Sequence, residues 1–262
     1  MNENVSYSLL NGPQTFEKIH VEAATNIANG ARIEHCENLI HISALGANEA
    51  SLAQYARSKA RGEAAVLEAF PRAVILRPSV IFGPEDNFFN LFAQLMSILP
   101  VMFVIGAPLL PQLRMTTNSG FKIKFLGNGG PMFQPVYVGD VVAAIIKTLN
   151  YKNTEGQIFE LGGPRTYSFS EILKLIMHAT KKRKLLLPMP FWAAEIQALL
   201  MSWLPRPLLT RDQVALLKTD NVIDGNLAGL SDLGITATPA DAIIPLYLNR
   251  FSRDPERGLR RD

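Results

Sequence analysis

Cysteine is almost missing from this 262-residue chain. The single Cys36 excludes an intrachain disulfide framework and a cysteine-rich zinc module, and is compatible with a reducing compartment. Charge is also scarce. Only 19% of residues are Asp, Glu, Lys or Arg, and 26 basic against 23 acidic residues leave +3, too weak a bias to point to nucleic acid. The four histidines, His20, His35, His41 and His178, show no metal-ligand spacing. The opening residues MNENVSYSLLNG lack the basic start and long apolar run of a signal peptide, so none is expected. An uninterrupted apolar span is missing too. The run 91–113 is broken by Pro100, Pro108 and Pro111. The run 185–209 is broken by Pro188, Pro190, Pro205 and Pro207, and carries Glu195 and Arg206. A spanning helix needs about 20 mainly apolar residues, so these runs are expected to meet the core, a lipid surface or a hydrophobic partner instead. What is present is a core: 48% apolar residues and a mean hydropathy of +0.11 exclude a disordered chain.

Along the chain, Phe16, Ile19, Ala23, Ile27 and Ala31 recur at helical spacing and predict a helix over 14–33. Strands are expected at 38–43 and 73–76, with a helix over 54–68 between them. Further helices are expected at 87–99, 141–149, 169–180 and 190–203, and strands at 122–126, 136–138, 157–161 and 185–187. Asp140 stands where an N-cap would. Ser168 with Glu171, and Thr210 with Gln213, are spaced as capping boxes. Strands alternating with helices imply a parallel sheet with helices on both faces. The fold expected is therefore α/β: a domain over 1–150, a smaller C-terminal α/β cap over 151–250 and a mobile charged tail over 251–262.

Tyr55-Ala-Arg-Ser-Lys59 is the sharpest local feature. Positions i and i+4 share a helix face, so the lysine ammonium lies near the phenol. A tyrosine titrates near 10 when free, about 3 pH units too high for acid–base work at neutrality, and a neighbouring cation moves it down. The same five residues also describe an amphipathic helix with a packed tyrosine and a solvated lysine.

Order along the chain adds to this. The strand ending in Ser43 comes first, then Tyr55 and Lys59, then a strand ending in Arg77-Pro78-Ser79-Val80-Ile81-Phe82-Gly83-Pro84. This order resembles the extended short-chain dehydrogenase/reductase (NAD-dependent epimerase/dehydratase) superfamily. The runs 41–47, 55–63, 76–86, 134–140 and 209–214 are similar to its atypical branch, which contains the alpha-subcomplex subunit 9 of respiratory complex I. The resemblance covers nearly all of residues 10–220. It implies a Rossmann-type fold, NADP (or NAD) as cofactor, Tyr55, Lys59 and Ser43 as catalytic residues, and Tyr55, Lys59, Pro78, Ser79, Val80 and Ile81 as cofactor-binding residues. It also implies complex I subunits or the membrane surface as partners. The corresponding location is peripheral, on the cytoplasmic face of a bacterial inner membrane or the matrix face of the mitochondrial one. Neither metal nor nucleic acid is implied.

Two departures qualify it. The family's glycine-rich phosphate turn needs glycines directly after a strand and opening a helix. Gly12 follows no strand, and Gly127-Asn-Gly-Gly130 precedes Pro131 and reads as a plain turn. The chain is therefore expected to start after the family's first strands, and cofactor binding to be weak. Residues 107–122 look like an insertion. Ser43 is either a catalytic hydroxyl or a cap on the strand end. Ser79 either lines the nicotinamide side or serves its turn. Asp140 reads as a cap rather than an acid. Arg57 and Arg61 read as solvated, and Met96, Met102, Trp192 and Trp203 as core or membrane-facing. Three functions remain: an accessory complex I-type subunit with a structural or assembly role, an NAD(P)-dependent reductase or epimerase using Tyr55 and Lys59, and a truncated remnant without nucleotide binding.

Overall fold

The computed structural model describes residues 15–110, 112–116, 120–204 and 207–252. Arg206 and residues 253–262 of the expected tail lie outside them. A π-helical segment, Glu17–Glu22, runs directly into α1 (Ala23–Ile33). There follow β1 (Ile40–Ile42), α2 (Gln54–Ala69), β2 (Val74–Pro78), β3 (Ile81–Phe82), α3 (Phe88–Ile98), β4 (Val101–Ile105), β5 (Gln112–Thr116), β6 (Gly120–Lys124), β7 (Met132–Phe133) and β8 (Val136–Tyr137). The chain continues with α4 (Val138–Asn150), β9 (Ile158–Leu161), β10 (Tyr167–Ser168), α5 (Phe169–Ala179), β11 (Leu185–Met189), α6 (Phe191–Met201), α7 (Arg211–Leu216) and α8 (Ala240–Leu248).

These elements form two compact units that divide the chain about evenly: residues 1–81, 134–164 and 221–239, and residues 82–133, 165–220 and 240–262. The boundary drawn at residue 150 from the sequence falls inside the first unit. The physical reason is that β9 must return to lie beside β2.

In the first unit β1, β2 and β9 make a parallel sheet in the order β1-β2-β9, with Ile42 opposite Leu76 and Leu76 opposite Phe159. Strands 38–43 and 73–76 are thus parallel neighbours with the Tyr55 helix between them, as the βαβ pattern predicts. Alternation along β2 sends Ile75 to one face, where it packs with Ala28, Val66 and Phe70 of the α1–α2 layer. Val74 and Leu76 go to the other, with Val141 and Ala144 of α4, Phe159 and Leu230. Both faces are covered, which is why β2 reads as a continuous apolar run. Gly62 sits in the middle of α2, where glycine ordinarily weakens a helix. A Cβ there would stand 2.1 Å from the His20 carbonyl oxygen, so its absence lets the π-helical segment lie directly on α2.

Helix α4 starts at Val138, so Asp140 is inside its first turn and not at the cap expected from the sequence. Its carboxylate is drawn elsewhere, accepting from the Thr238 backbone N–H at 2.7 Å and the Thr238 hydroxyl at 2.9 Å.

The second unit is built on helices. Phe88, Phe89, Phe92, Phe133 and Phe169 form a chain of ring contacts 5.2–6.1 Å apart. Both capping boxes are made: Ser168 with Glu171 opens α5, and Thr210 with Gln213 opens α7. Strand β4 is hidden in the sequence, because the uniformly apolar run shows no period. It pairs in parallel with β11, Phe103 opposite Leu187. The segment read as an insertion holds the antiparallel pair β5–β6. Among the described residues no helix is long and apolar enough to cross a membrane.

Candidate functional site

The sheet of the first unit places three strand ends together. The Ser43 N–H donates to the Leu76 carbonyl, the Leu45 N–H to that of Pro78, and the Ser79 N–H to that of Leu161. Ser43, Pro78, Ser79 and the Gly162-Gly163 turn therefore share the carboxyl edge of the parallel sheet, where ligands of open α/β sheets bind. Pleat alternation, with the pairing of His41 opposite Ile75, sets His41, Ser43, Ile75 and Arg77 on the face beneath α2.

Tyr55 lies in the first turn of α2. Its ring meets those of Phe16 and His20 edge-on, at 5.9 and 5.4 Å between centroids, while Phe16 and His20 stack. One turn along α2, the Lys59 ammonium lies 5.7 Å from the Tyr55 ring centre. The two residues singled out by their spacing are thus neighbours, as expected of i and i+4. Ser58 between them is fully buried and donates its hydroxyl to the Tyr55 carbonyl at 2.8 Å. That hydroxyl has one proton, so in its 2.8 Å contact with His20 Nδ1 it accepts, and Nδ1 carries the hydrogen.

His41 faces Lys59, Glu63 and His20. Burial, ahead of the Lys59 cation, holds its imidazole below the ordinary histidine range, and Glu63 pulls partly the other way. Its buried Nε2 has no hydrogen-bond partner among the described residues, and neither has the buried Ser43 hydroxyl. Next to them Arg77 and Glu63 form a two-pronged ion pair, Nε to Oε1 at 2.9 Å and Nη2 to Oε2 at 2.6 Å. That pair keeps the guanidinium firmly charged.

Ser79 and Val80 are engaged differently. The Ser79 hydroxyl donates to Asn221 Oδ1 at 2.6 Å, and the Val80 N–H donates to the same oxygen at 3.1 Å. Pro78 and Val80 are buried and Ile81 is half-buried.

Three comparisons bear on this geometry. The model of the NAD dependent epimerase/dehydratase family matches residues 8–162. The chain belongs to the NAD dependent epimerase/dehydratase family. Among curated proteins it is similar to the mouse "NADH dehydrogenase [ubiquinone] 1 alpha subcomplex subunit 9, mitochondrial", 33% identical over 86% of this chain and 55% of that protein. It is also similar to the "NADH-ubiquinone oxidoreductase 40 kDa subunit, mitochondrial" of Neurospora crassa, 31% identical over 87% of this chain and 54% of that one. The chain thus spans about half the length of the curated relatives it matches. Among solved structures, Thermus thermophilus UDP-glucose 4-epimerase, crystallised with NAD, aligns with a TM-score of 0.58. It is 19% identical, over 95% of this chain and 75% of that one, and shares the fold.

The epimerase/dehydratase family implies a dinucleotide. Tyr55, Lys59 and the Ser43 hydroxyl, which has no partner among the described residues, have the chemistry that a nicotinamide riboside would need. No glycine-rich turn opening a helix is found among the described residues to receive the pyrophosphate. The glycine pair after β9, Gly162-Gly163, is closely packed: a Cβ on Gly163 would stand 2.0 Å from the Pro135 carbonyl oxygen. The Gly163 carbonyl is itself taken by the Gln134 side-chain amide at 2.7 Å. Gly127, Gly129 and Gly130 sit at positive φ in a turn that leads to β7, not to a helix, as the sequence predicts. No cluster of metal-ligating side chains is found among the described residues.

Sequence reasoning passed over His20, His41, the Glu63–Arg77 pair and Asn221. The His41-Ile-Ser43 spacing carried a signal, since i and i+2 share a strand face. Asn221 had none, lying 142 residues from its partner Ser79.

Proposed function

We propose that this epimerase/dehydratase-family chain acts as an accessory subunit of the complex I type, peripheral at an energy-coupling membrane and binding rather than turning over a substrate. The observation that supports this best is the 31–33% identity to complex I subunits across 86–87% of the chain. Bound NAD(P) would bring hydride chemistry. Lys59 would hold the ribose hydroxyls, with Tyr55 and Ser43 beside the nicotinamide and the 78–81 turn along its edge. Native electrophoresis of membranes containing the tagged chain tests the reading, with co-migration with complex I expected. A chain that migrates only apart from complex I overturns it. Calorimetry of the purified 262 residues with NADPH is expected to give binding weaker than micromolar.

The pairing of Tyr55 and Lys59 favours a second reading, an NAD(P)-dependent reductase or epimerase with Tyr55 as acid–base. Its mark would be turnover abolished by Tyr55→Phe with cofactor binding retained.

A further inference from the structure

Within the second unit a cavity of about 230 Å³ is lined by Met96, Ser97, Lys181, Lys182, Arg183 and Lys184. Four of the six side chains are cationic and none is acidic. A water occupies about 30 Å³ in the liquid, so the space admits a group several times that size. Part of the run has a local explanation. The Lys181 N–H donates to the His178 carbonyl and the Lys182 N–H to that of Met177, so the run caps α5, whose carbonyl end favours cations. Lys181 takes φ +52°, the left-handed conformation that closes such a cap. Capping does not account for the rest. The Lys182 ammonium is turned onto the Ser97 hydroxyl at 2.5 Å. Arg183 and Lys184 lie beyond the last turn of α5, where the helix dipole has faded.

From the cavity the chain runs into apolar side chains of the same unit that are exposed among the described residues. Lys184 leads directly into β11, and pleat alternation turns Leu185 and Leu187 outward beside Phe103 of β4, while Met102 and Val104 are buried on the opposite side. Helix α6 follows one residue after β11. It buries only its small residues, Ala194 and Ala198, and exposes Trp192, Ile196, Leu199 and Leu200 at i, i+4, i+7 and i+8. Trp203, in the turn beyond, is 91% exposed. Tryptophan at both ends of an apolar face, next to a cluster of cations, is the pattern of a surface lying in the headgroup layer of a bilayer.

We propose that the Lys181–Lys184 cavity takes the phosphate of an anionic phospholipid headgroup, with the acyl region against Leu185, Leu187, Phe103 and the outer face of α6. The charge selects an anionic partner, and the adjoining apolar face selects a lipid over a free anion. This deepens the peripheral-membrane part of the reading above and rests on it, but its test needs no complex I. The purified full chain is floated with phosphatidylcholine vesicles and with vesicles in which one-third of the lipid is phosphatidylglycerol. Binding about tenfold tighter to the anionic vesicles is expected. That preference should vanish when Lys181, Lys182, Arg183 and Lys184 are all replaced by alanine, and survive when the three lysines become arginine. Trp192→Ser with Trp203→Ser should weaken binding to both vesicle types. Circular dichroism confirms that each variant is folded; should the alanine variant unfold, Lys184→Glu alone reads the same loss. Equal binding to both vesicles, no vesicle binding, inorganic phosphate bound as tightly as the anionic vesicles, or tighter binding to a single-stranded RNA would each overturn the proposal. Vesicle binding without complex I association removes only the complex I reading; complex I association without vesicle binding removes only this one.

Discussion

The carboxyl ends of β1 and β2 lie side by side in one sheet and treat their buried polar groups in opposite ways. At the end of β2 the polar groups are paired: Arg77 with Glu63, and the Ser79 hydroxyl and Val80 N–H with Asn221. Nearby on β9, Glu160 accepts from the Asp224 N–H at 2.9 Å. On β1, His41 Nε2 and the Ser43 hydroxyl are buried with no partner among the described residues. Native interiors rarely leave such groups unpaired. The paired end is therefore structural, with each group fixed by its neighbour. A ligand at the unpaired end would gain by offering His41 Nε2 and the Ser43 hydroxyl a partner.

If that division is right, the paired end is fragile. Glu63→Ala removes both prongs from Arg77 and leaves a cation facing the sheet. Breaking a buried pair costs about 3–5 kcal/mol, and the Arg77 side chain keeps 21% exposure, so the low end, about 3 kcal/mol, is expected from the urea midpoint. A loss below about 1 kcal/mol would break the comparison, since such small values belong to solvent-exposed pairs. Asn221→Ala ranks next. The Ser79 hydroxyl retains the Asn221 backbone carbonyl at 3.2 Å, but the Val80 N–H loses its acceptor. About 2 kcal/mol of destabilisation is expected, most of it the penalty of an unsatisfied buried donor.

How far the sequence carried this division depends on distance along the chain. The parallel pairing of the first two strands, the Tyr55–Lys59 pair and both capping boxes were legible, because each depends on spacings of two to four residues or on one βαβ unit. Strand β4 was not, because a run buried on one face and exposed on the other only at Phe103 shows no alternation to read. The partners of Ser79 and Asp140 were invisible for another reason. Asn221 and Thr238 come from a segment with little regular structure that returns to the sheet about 100 residues or more later. For Asp140 that distant partner overrode a sound local signal, and the aspartate left the cap position it was expected to hold. The unpaired state of His41 and Ser43 could not be read at all, since it is a property of what surrounds them and not of their spacing.

A smaller effect comes from His41. Its folded-state affinity for protons is lowered, so below the ordinary histidine value of 6.5 the unfolded chain takes up a proton that the folded chain declines. Stability from this group is complete above 6.5 and falls as pH drops from there toward the lowered folded value. Asp86, held above its ordinary 3.8 by burial despite the Tyr247 hydroxyl, acts with the opposite sign between 3.8 and its raised value. The expected outcome is a decline in urea stability as pH falls below 6.5, flattened in His41→Leu. An unchanged slope in that variant would show that His41 finds a proton acceptor, and the unpaired end would shrink to Ser43.

The smallest expected effect is the sharpest test. Ser43 is 4% exposed, its N–H is already bonded to the Leu76 carbonyl, and its hydroxyl has no partner among the described residues. Deleting a buried hydroxyl that makes no hydrogen bond removes a desolvation penalty and leaves only a small gap. Ser43→Ala should therefore change stability by no more than about 0.5 kcal/mol, with the variant as stable as the parent or slightly more so. Ser79→Ala, at an equally buried strand end one position along the sheet, strips a made hydrogen bond and should cost about 1 kcal/mol. The two serines are the same residue type at equivalent places, so the difference between them isolates pairing from burial. Equal losses would mean that Ser43 is satisfied after all, by a bound water or a local shift. Its hydroxyl would then join the structural end, and the case for a ligand at the carboxyl edge of β1 would rest on Tyr55 and Lys59 alone.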